Sequence, residues 1–168
     1  CTCSGIQHYS ALLRSKEMGE KVNLVNSDKP QDIYSSVMSK VNQRLRKDDN
    51  EHSRKWLALQ PDRTLAKNGV MTLPYSVTYL GFYKFAYQWA IKRAKELYGN
   101  TNWLTKDGSM KTVHYMAKIL HQEASAMIQP AVHAMRWFKA VGVKAGKNNI
   151  PLEWANPAGL VVHQQYNS

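Results

Sequence analysis

Cysteine is scarce in this chain, since only Cys1 and Cys3 occur among its 168 residues. The two are too close in sequence for an ordinary disulfide between them, and no second Cys/His pair supplies the spacing of a zinc site. None of the six histidines falls in an HExxH pattern. We therefore expect neither a disulfide framework nor a metal site built on these side chains, and a reducing compartment is the natural default.

Long apolar runs are absent too. No apolar segment approaches the ~18–20 residues of a membrane helix, so we expect no transmembrane span. An apolar fraction of 43% in a chain of this length predicts a globular domain with a real core. The chain begins at Cys1 with no basic-then-apolar leader, and we expect it to be a fragment of something longer.

Carboxylates are few as well: 12 Asp and Glu stand against 23 Lys and Arg, which gives a formal charge of +11. Such an excess favours a polyanionic partner, because Lys and Arg release counterions from phosphates. Membrane surfaces are polyanionic too, and the plain alternative is a soluble basic surface. The cations are interleaved with Trp, Tyr and Phe along segments that read as folded, which favours a nucleic-acid groove over a basic tail.

The apolar spacing predicts a mainly α-helical fold with a small β-hairpin near the C-terminus. Residues 48–53 have no apolar member and are expected to form a solvated loop. Two short strands, 152–154 and 160–162, are expected around a turn at 156–159. Helices are predicted over residues 4–18, 30–47, 62–73, 79–98 and 111–143, the last kinked or split by Pro130.

One segment carries chemistry at a defined spacing. On a helix that turns 100° per residue, Arg63, Lys67, Met71 and Tyr75 point within about 120° of one another. Lys67 and Tyr75 would lie about 12 Å apart along the axis, a suitable scale for holding a nucleotide by its phosphates and its sugar. The alternative is an ordinary amphipathic helix, with its cations in solvent and its Met and Tyr in the core.

The surrounding sequence resembles a known family. Residues 67–75, Lys-Asn-Gly-Val-Met-Thr-Leu-Pro-Tyr, resemble motif B of the single-subunit, bacteriophage-type DNA-directed RNA polymerases, a family that includes the mitochondrial enzymes. Residues 3–10, Cys-Ser-Gly-Ile-Gln-His-Tyr-Ser, are similar to the segment that follows the first catalytic aspartate of that family. Shorter matches continue in the same order, at residues 22–24, 31–34, 115–118, 134–137 and 154–166.

The resemblance implies roles for individual residues. Lys67 and Tyr75 would be the catalytic positions, Lys67 on the triphosphate and Tyr75 at the ribose. Gly5 stands where family A DNA polymerases, which use a similarly spaced helix, carry a glutamate that blocks a 2′-hydroxyl, and Met71 stands where they commonly carry an aromatic residue. Both features favour ribonucleotides. The NTP-binding set is then Gly5, Arg63, Lys67, Met71 and Tyr75.

Contacts to the DNA template are implied for three positions, Tyr34, Ser76 and Leu80. Tyr34 can also be read as a core tyrosine, and Leu80 as ordinary helix packing. Ser76 departs from the family, which has glycine there. If that position has φ > 0, serine costs about 1 kcal/mol. Leu80 replaces a position that is usually aromatic, so that only an apolar wedge would remain.

The resemblance also implies partners and a cofactor. An intact enzyme would use two Mg²⁺ ions, a DNA template and NTPs to make RNA. By its register the carboxylate ligands lie outside the chain, with no metal ligand within it, and we expect the fragment alone to be inactive. The parent is expected to be a monomer without membrane contact, acting as a viral enzyme in the host cytoplasm or, alternatively, in mitochondria.

In the resulting scheme the chain is the fingers subdomain plus the palm edge of a right-hand polymerase fold. Residues 1–26 form the palm edge, 27–150 the helical fingers with motif B at 63–76, and 151–168 a hairpin returning toward the palm. Two alternatives are kept: a fingers fragment of a family A DNA polymerase, and a non-enzymatic basic helical domain that binds nucleic acid.

Overall fold

A computed structural model describes residues 3–101 and 109–165 of the chain. The chain divides into two compact units, residues 1–131 and 132–168. Eight α-helices and one hairpin are described, with a 3₁₀ turn at Leu73–Tyr75. The helices are α1 Ser4–Leu12, α2 Lys16–Lys21, α3 Ile33–Asp48, α4 Glu51–Ala58, α5 Arg63–Thr72, α6 Tyr79–Tyr98, α7 Ser109–Met127 and α8 Gln129–Lys147; the strands are β1 Leu152–Ala155 and β2 Val161–Gln164.

Side-chain caps decide where α3 and α5 begin. Asp32 accepts a hydrogen bond from the Tyr34 N–H at 3.1 Å, and Asp62 accepts one from the Thr64 N–H at 2.9 Å. Such caps satisfy N–H groups that have no partner within the helix. The predicted start at Asp62 is therefore confirmed, and so is helix 79–98, which ends at Gly99 with a left-handed φ of 68°.

The helix predicted over residues 30–47 begins three residues later than predicted, at Ile33. The Asn23 side chain binds both backbone groups of Gln31: its amide donates to the Gln31 carbonyl at 2.8 Å and its oxygen accepts from the Gln31 N–H at 2.6 Å. This pairing holds Gln31 outside the helix, so Asp32 rather than the region of Pro30 provides the cap and α3 begins at Ile33.

The prediction of one continuous helix over residues 4–18 is wrong. It divides into α1 and α2, because Arg14 takes a left-handed φ of 50° and Ser15 caps a new helix by accepting from the Met18 N–H at 3.4 Å. Helix 111–143 likewise divides, as its proline suggested. Pro130 is the second residue of α8, where a missing N–H costs no helical hydrogen bond.

The expected loop at 48–53 is also wrong. Asp49 turns the chain with φ 38°, and Asn50 caps α4 by accepting from the Ser53 N–H at 2.9 Å. Helix α4 then buries Trp56 completely, and its indole N–H donates to the Thr112 carbonyl at 2.7 Å. Burial of this one large side chain explains why a segment with a polar start is helical.

The core of the first unit forms where α3, α5, α6 and α7 pack together, with α4 against α3 and α7. Helix α1 packs against α2 and against the 3₁₀ turn, which brings the start of the chain to the end of α5. None of the helices in the described residues is long and apolar enough to cross a membrane. The largest fully buried side chains include Tyr34, Leu45, Trp56, Phe82, Met116 and Leu120.

In the second unit, β1 and β2 pair antiparallel, with Leu152 opposite Gln164 and Ala155 opposite Val161. The turn between them is fixed by the Asn156 side chain, which accepts from the Ala158 and Leu160 N–H groups at 3.0 Å each. Gly159 takes φ 81° there. The predicted small hairpin in a mainly helical chain is thus confirmed.

Candidate functional site

Helix α5 has one buried side and one exposed side, as its sequence pattern predicts. Leu65, Ala66 and Val70 face the core with at most 2% exposure, whereas Lys67 lies in solvent. Met71 is 42% exposed and Tyr75 is 67% exposed. The alternative that placed Met71 and Tyr75 in the core is therefore wrong: three of the four spaced side chains lie open to a ligand.

Arg63, the fourth, is held at the start of the helix. Its Nε donates to the Asp32 Oδ2 at 2.5 Å, and its guanidinium carbon lies 4.9 Å from the centroid of the Tyr34 ring. Both charged side chains remain partly exposed, at 39% for Arg63 and 32% for Asp32. A planar guanidinium suits an arrangement with a carboxylate at its edge and an aromatic face below.

The electrostatics of this contact appear in two pKa values. Burial alone would raise the pKa of Asp32, but hydrogen bonds from Arg63 and Ser35, with the Arg63 charge, hold that pKa below its ordinary value. Burial, followed by the neighbouring Cys3 side chain, raises the pKa of Tyr34 to about 12. Asp32 is thus the charged partner of Arg63, and Tyr34 stays a neutral phenol at physiological pH.

Tyr34 itself is 2% exposed, in agreement with the core alternative in the sequence analysis. Its ring lies beneath Arg63 instead of at the surface. The contact with a template strand assigned to it stays a prediction, and the described arrangement gives its ring a different neighbour.

Tyr75 lies in the 3₁₀ turn that follows α5, and not on the α-helix with Arg63, Lys67 and Met71. Pro74 explains the change, since it has no N–H to continue the helical ladder. The turn packs against α1. A Cβ atom built on Gly5 would lie 2.9 Å from the Pro74 Cβ and 3.1 Å from the Tyr75 ring. The structure therefore brings together two predicted site residues that are 70 positions apart.

Ser76 follows the turn with φ 66° and ψ 32°. The left-handed conformation considered for this position is confirmed, and a glycine would adopt it without the steric cost of a Cβ. Ser76 is exposed, and its own N–H donates to the Leu73 carbonyl at 3.0 Å.

Leu80 lies in the first turn of α6 with 67% exposure, so it does not pack as an ordinary core leucine. Beside it, the Tyr79 hydroxyl contacts the His114 Nδ1 at 2.8 Å and donates to the His114 carbonyl at 3.0 Å. The Tyr83 ring lies 4.4 Å from the His114 ring, centroid to centroid. Leu80 thus follows, in sequence, the first residue of an aromatic cluster formed by Tyr79, Tyr83 and His114.

An open groove of about 390 Å³ lies between α5 and α6. Lys67 and Asn68 line it from α5, and Trp89 and Lys92 from α6. Arg63, Met71 and Tyr75 do not line it, so Lys67 is the member of the predicted nucleotide-binding set that lies in this groove.

Sequence reasoning missed Asp32 as a partner of Arg63, although it noted the segment 31–34. The signal available was weak: an aspartate before a helical run indicates a cap, and nothing in the spacing indicates a partner 31 residues later. Within residues 3–101 and 109–165, no three His, Cys, Asp or Glu side chains form a group that could hold a metal ion.

Comparison with known proteins agrees with the resemblance. A family model described as DNA-dependent RNA polymerase matches residues 1–168. The chain is 34% identical over 175 residues to DNA-directed RNA polymerase 2, chloroplastic/mitochondrial, of Arabidopsis thaliana, which covers 99% of this chain and 16% of that protein. It is 32% identical over 204 residues to T7 RNA polymerase of Escherichia phage T7, covering 98% of this chain and 23% of that protein.

A third relative is DNA-directed RNA polymerase 2A of Nicotiana tabacum, 31% identical over 178 residues, with 98% of this chain and 50% of that protein covered. The chain therefore spans between about a sixth and a half of the length of these three relatives. Since the family model covers every residue, the chain belongs to the DNA-dependent RNA polymerase family, alongside relatives from phage and from plant organelles.

Proposed function

We propose that this chain is the part of a longer DNA-directed RNA polymerase that binds and selects the incoming ribonucleoside triphosphate. The parent would be a nucleotidyltransferase that reads a DNA template and extends RNA. One observation carries this proposal: the Tyr75 ring, exposed at the end of α5, lies where a Cβ on Gly5 would be only 3.1 Å away.

The phosphate end of the site would be Arg63 and Lys67. The two cations stand one helical turn apart on α5, and Lys67 is exposed. Positive donors placed before the reaction stabilise the charge that develops on a transferring phosphoryl group without reorganising at that moment. Their role is to bind and to orient, since neither acts as a nucleophile.

The sugar end of the site would be Met71, Tyr75 and Gly5. A ribose placed against Tyr75 meets α1 at Gly5, the residue with no side chain to project toward a 2′-hydroxyl. A larger side chain at this position would meet Pro74 and Tyr75 first. This close approach supports the proposal that the site accepts ribonucleotides.

Contacts with the template are proposed at Ser76 and Leu80, which follow the sugar end directly and are both exposed. Tyr34 is proposed to act on the template through Arg63 and the start of α5, because its own ring is buried. The remaining cations would contact nucleic-acid backbones.

Catalysis in this family is metal-dependent, and two Mg²⁺ ions are the proposed cofactors of the parent. Bound Mg²⁺ would activate the attacking hydroxyl and neutralise the leaving pyrophosphate. The described residues offer no cluster that fits such ions. Lys67 and Tyr75 are therefore proposed to hold the nucleotide and not to coordinate a metal ion.

Placement in a right-hand fold follows the same proposal. Residues 1–26 would belong to the palm edge, 27–150 to the fingers and 151–168 to a hairpin near the palm. The parent is proposed to be a monomeric viral enzyme of the host cytoplasm, with a mitochondrial enzyme as the alternative, since the relatives include phage and plant organellar proteins.

Protection of Lys67 from chemical modification tests the proposal on the chain itself. An amine-acylating reagent is applied with rNTP, with dNTP or without nucleotide, and each lysine is quantified by mass spectrometry. We expect rNTP to protect Lys67 more than dNTP does, while Lys95, an exposed lysine near the end of α6, is unaffected. Equal protection of both lysines by both nucleotides would indicate only a basic surface.

Replacement of the Tyr75 hydroxyl tests the sugar end. In the parent polymerase, Tyr75→Phe should lower the preference for rNTP over dNTP about tenfold, the effect of one lost hydrogen bond, with most activity kept. Unchanged preference would contradict the role of Tyr75. Incorporation of NTP by the 168-residue chain alone with Mg²⁺ would contradict the proposal that the catalytic carboxylates lie elsewhere.

A further inference from the structure

We propose that Asp32 is a positioning residue for the nucleotide site: it holds Arg63 through Nε and leaves the edge formed by the two terminal nitrogens available for phosphate. This inference rests on the proposed function. Asp32 has no part in the motif B helix; it belongs to the start of α3 and reaches Arg63 across 31 positions of sequence.

The geometry of the ion pair carries the first step. The Asp32 Oδ2 accepts from the Arg63 Nε at 2.5 Å, which occupies the inner nitrogen of the guanidinium. Within the part of the chain that the structure describes, this is the hydrogen bond that Arg63 donates, and its Nη1 and Nη2 groups donate none. Those two groups form the edge that binds an oxyanion in a bidentate manner.

Tyr34 fixes the plane of the same guanidinium. Its ring centroid lies 4.9 Å from the Arg63 Cζ, and the ring is itself buried in the core. With one edge on Asp32 and one face on Tyr34, the guanidinium loses most of its freedom to rotate. An arginine that is ordered before the ligand arrives loses less rotamer entropy on binding.

Asp32 is fixed as firmly as the arginine that it holds. Its Oδ1 accepts from the Tyr34 N–H at 3.1 Å as the cap of α3, and its Oδ2 also accepts from the Ser35 hydroxyl at 2.8 Å. One carboxylate therefore ties the start of α3 to the start of α5.

The negative charge of Asp32 would also weaken the attraction between Arg63 and a triphosphate. The two effects oppose each other, and exposure decides between them. Both side chains are about a third exposed, so water screens the charge of Asp32 at a distance, whereas the orientation of Arg63 is a contact effect that water does not screen. We therefore expect the orienting effect to dominate.

The test is steady-state kinetics of the parent polymerase with Asp32→Asn, Arg63→Ala and the double variant. Asparagine is as good a helix cap as aspartate, but it cannot both cap α3 and accept from the Arg63 Nε. We expect Asp32→Asn to raise KM for NTP about tenfold, the effect of one charge-assisted hydrogen bond, with kcat within about threefold. The double variant should be no worse than Arg63→Ala alone.

Ser35→Ala is the matched control. It removes the hydrogen bond that the Ser35 hydroxyl donates to Asp32 and leaves the contact between Asp32 and Arg63. It should leave KM unchanged. If Asp32→Asn does not fold, Arg63→Lys replaces it, since lysine keeps the charge without the Nε contact, and it should raise KM similarly.

Three results would overturn the inference. An unchanged or lowered KM in Asp32→Asn would show that Asp32 does not orient Arg63 for phosphate, and so would additive effects in the double variant. If Arg63→Ala raises KM while Asp32→Asn does not, this inference alone fails. If Arg63→Ala leaves KM unchanged, the proposed function of the phosphate end fails with it.

Discussion

The two ends of α5 are built by opposite means. The proposed phosphate end, Arg63 and Lys67, begins at a capped helix start where Arg63 has a carboxylate and an aromatic ring as partners. The proposed sugar end, Met71 to Ser76, leaves the α-helix, turns through Pro74 and ends in a left-handed serine. Polar contacts hold the first end. Close packing against Gly5 holds the second end, although its backbone is strained at Ser76.

This difference indicates what each end tolerates. A site held by polar contacts depends on charge and pH, while a site held by packing depends on volume. The variants below separate the two ends, from the largest expected effect to the smallest.

Lys67→Ala should have the largest effect. In the parent polymerase, loss of one cation at the phosphate end should cost about 2–4 kcal/mol of transition-state stabilisation, or roughly 30- to 1000-fold in kcat/KM. Steady-state kinetics measures it, with Lys95→Ala as the control at an exposed lysine outside motif B. A value within twofold of the wild type would place the phosphate end elsewhere.

Gly5→Ala should destabilise the sugar end through volume alone. The new Cβ would lie 2.9 Å from the Pro74 Cβ, and the stiff proline ring cannot yield easily. Overpacking of this kind costs about 1–3 kcal/mol, which outweighs the gain in helix propensity of up to about 1 kcal/mol. Urea titration of the chain gives the change in the free energy of unfolding.

Gly142→Ala provides the control for Gly5→Ala. Gly142 also lies in a helix, α8, but a Cβ there would meet nothing within 4 Å. It should therefore show only the propensity gain. If both alanine variants are stabilised alike, the close approach between α1 and the 3₁₀ turn does not constrain the site.

Ser76→Gly should stabilise the sugar end by up to about 1 kcal/mol, because glycine adopts φ 66° without the clash of a Cβ. Ser76→Ala separates backbone strain from the hydroxyl, since alanine keeps the Cβ and should gain nothing. Both are measured by urea titration. Equal stabilisation by glycine and alanine would attribute the effect to the hydroxyl instead.

The ion pair at the phosphate end should contribute the least stability, about 0.5–1 kcal/mol, because both partners are partly exposed. The pKa of Asp32 is lowered in the folded state, so this contribution is present above the unfolded value near 3.9 and is lost as pH falls through the folded value. Wild type should exceed Arg63→Met in unfolding free energy at pH 7, and the difference should shrink as pH falls below the unfolded value. A difference that does not change with pH would mean that Arg63 acts through packing.

Much of the fold could be predicted from local signals. Asp62, Gly99 and Pro130 each govern a helix end through their own backbone or side chain, and the structure has the ends where these residues indicate. The prediction failed where a local signal competed with a distant one. Helix α4 depends on the burial of Trp56 against Thr112, and the start of α3 depends on Asn23 pairing with Gln31.

The candidate site shows the same division. The spacing of Arg63, Lys67, Met71 and Tyr75 indicated a ligand-binding face, and the exposure of Lys67, Met71 and Tyr75 agrees with it. The spacing also assumed one continuous α-helix, which Pro74 ends before Tyr75. A helical wheel describes only which residues share a face of one helix. It contains no information on the residues of other elements that pack against that face.

The sequence by itself determined the family, which is carried by residue types in a fixed order, and the basic charge, which is carried by composition. Only the tertiary structure decided that Asp32 holds Arg63 and that Gly5 meets Tyr75. These pairs are 31 and 70 positions apart, and their contact depends on how α1, α3 and α5 pack. The packing of these helices depends on many weak contacts distributed over the whole core. A local pattern in the sequence does not specify those contacts.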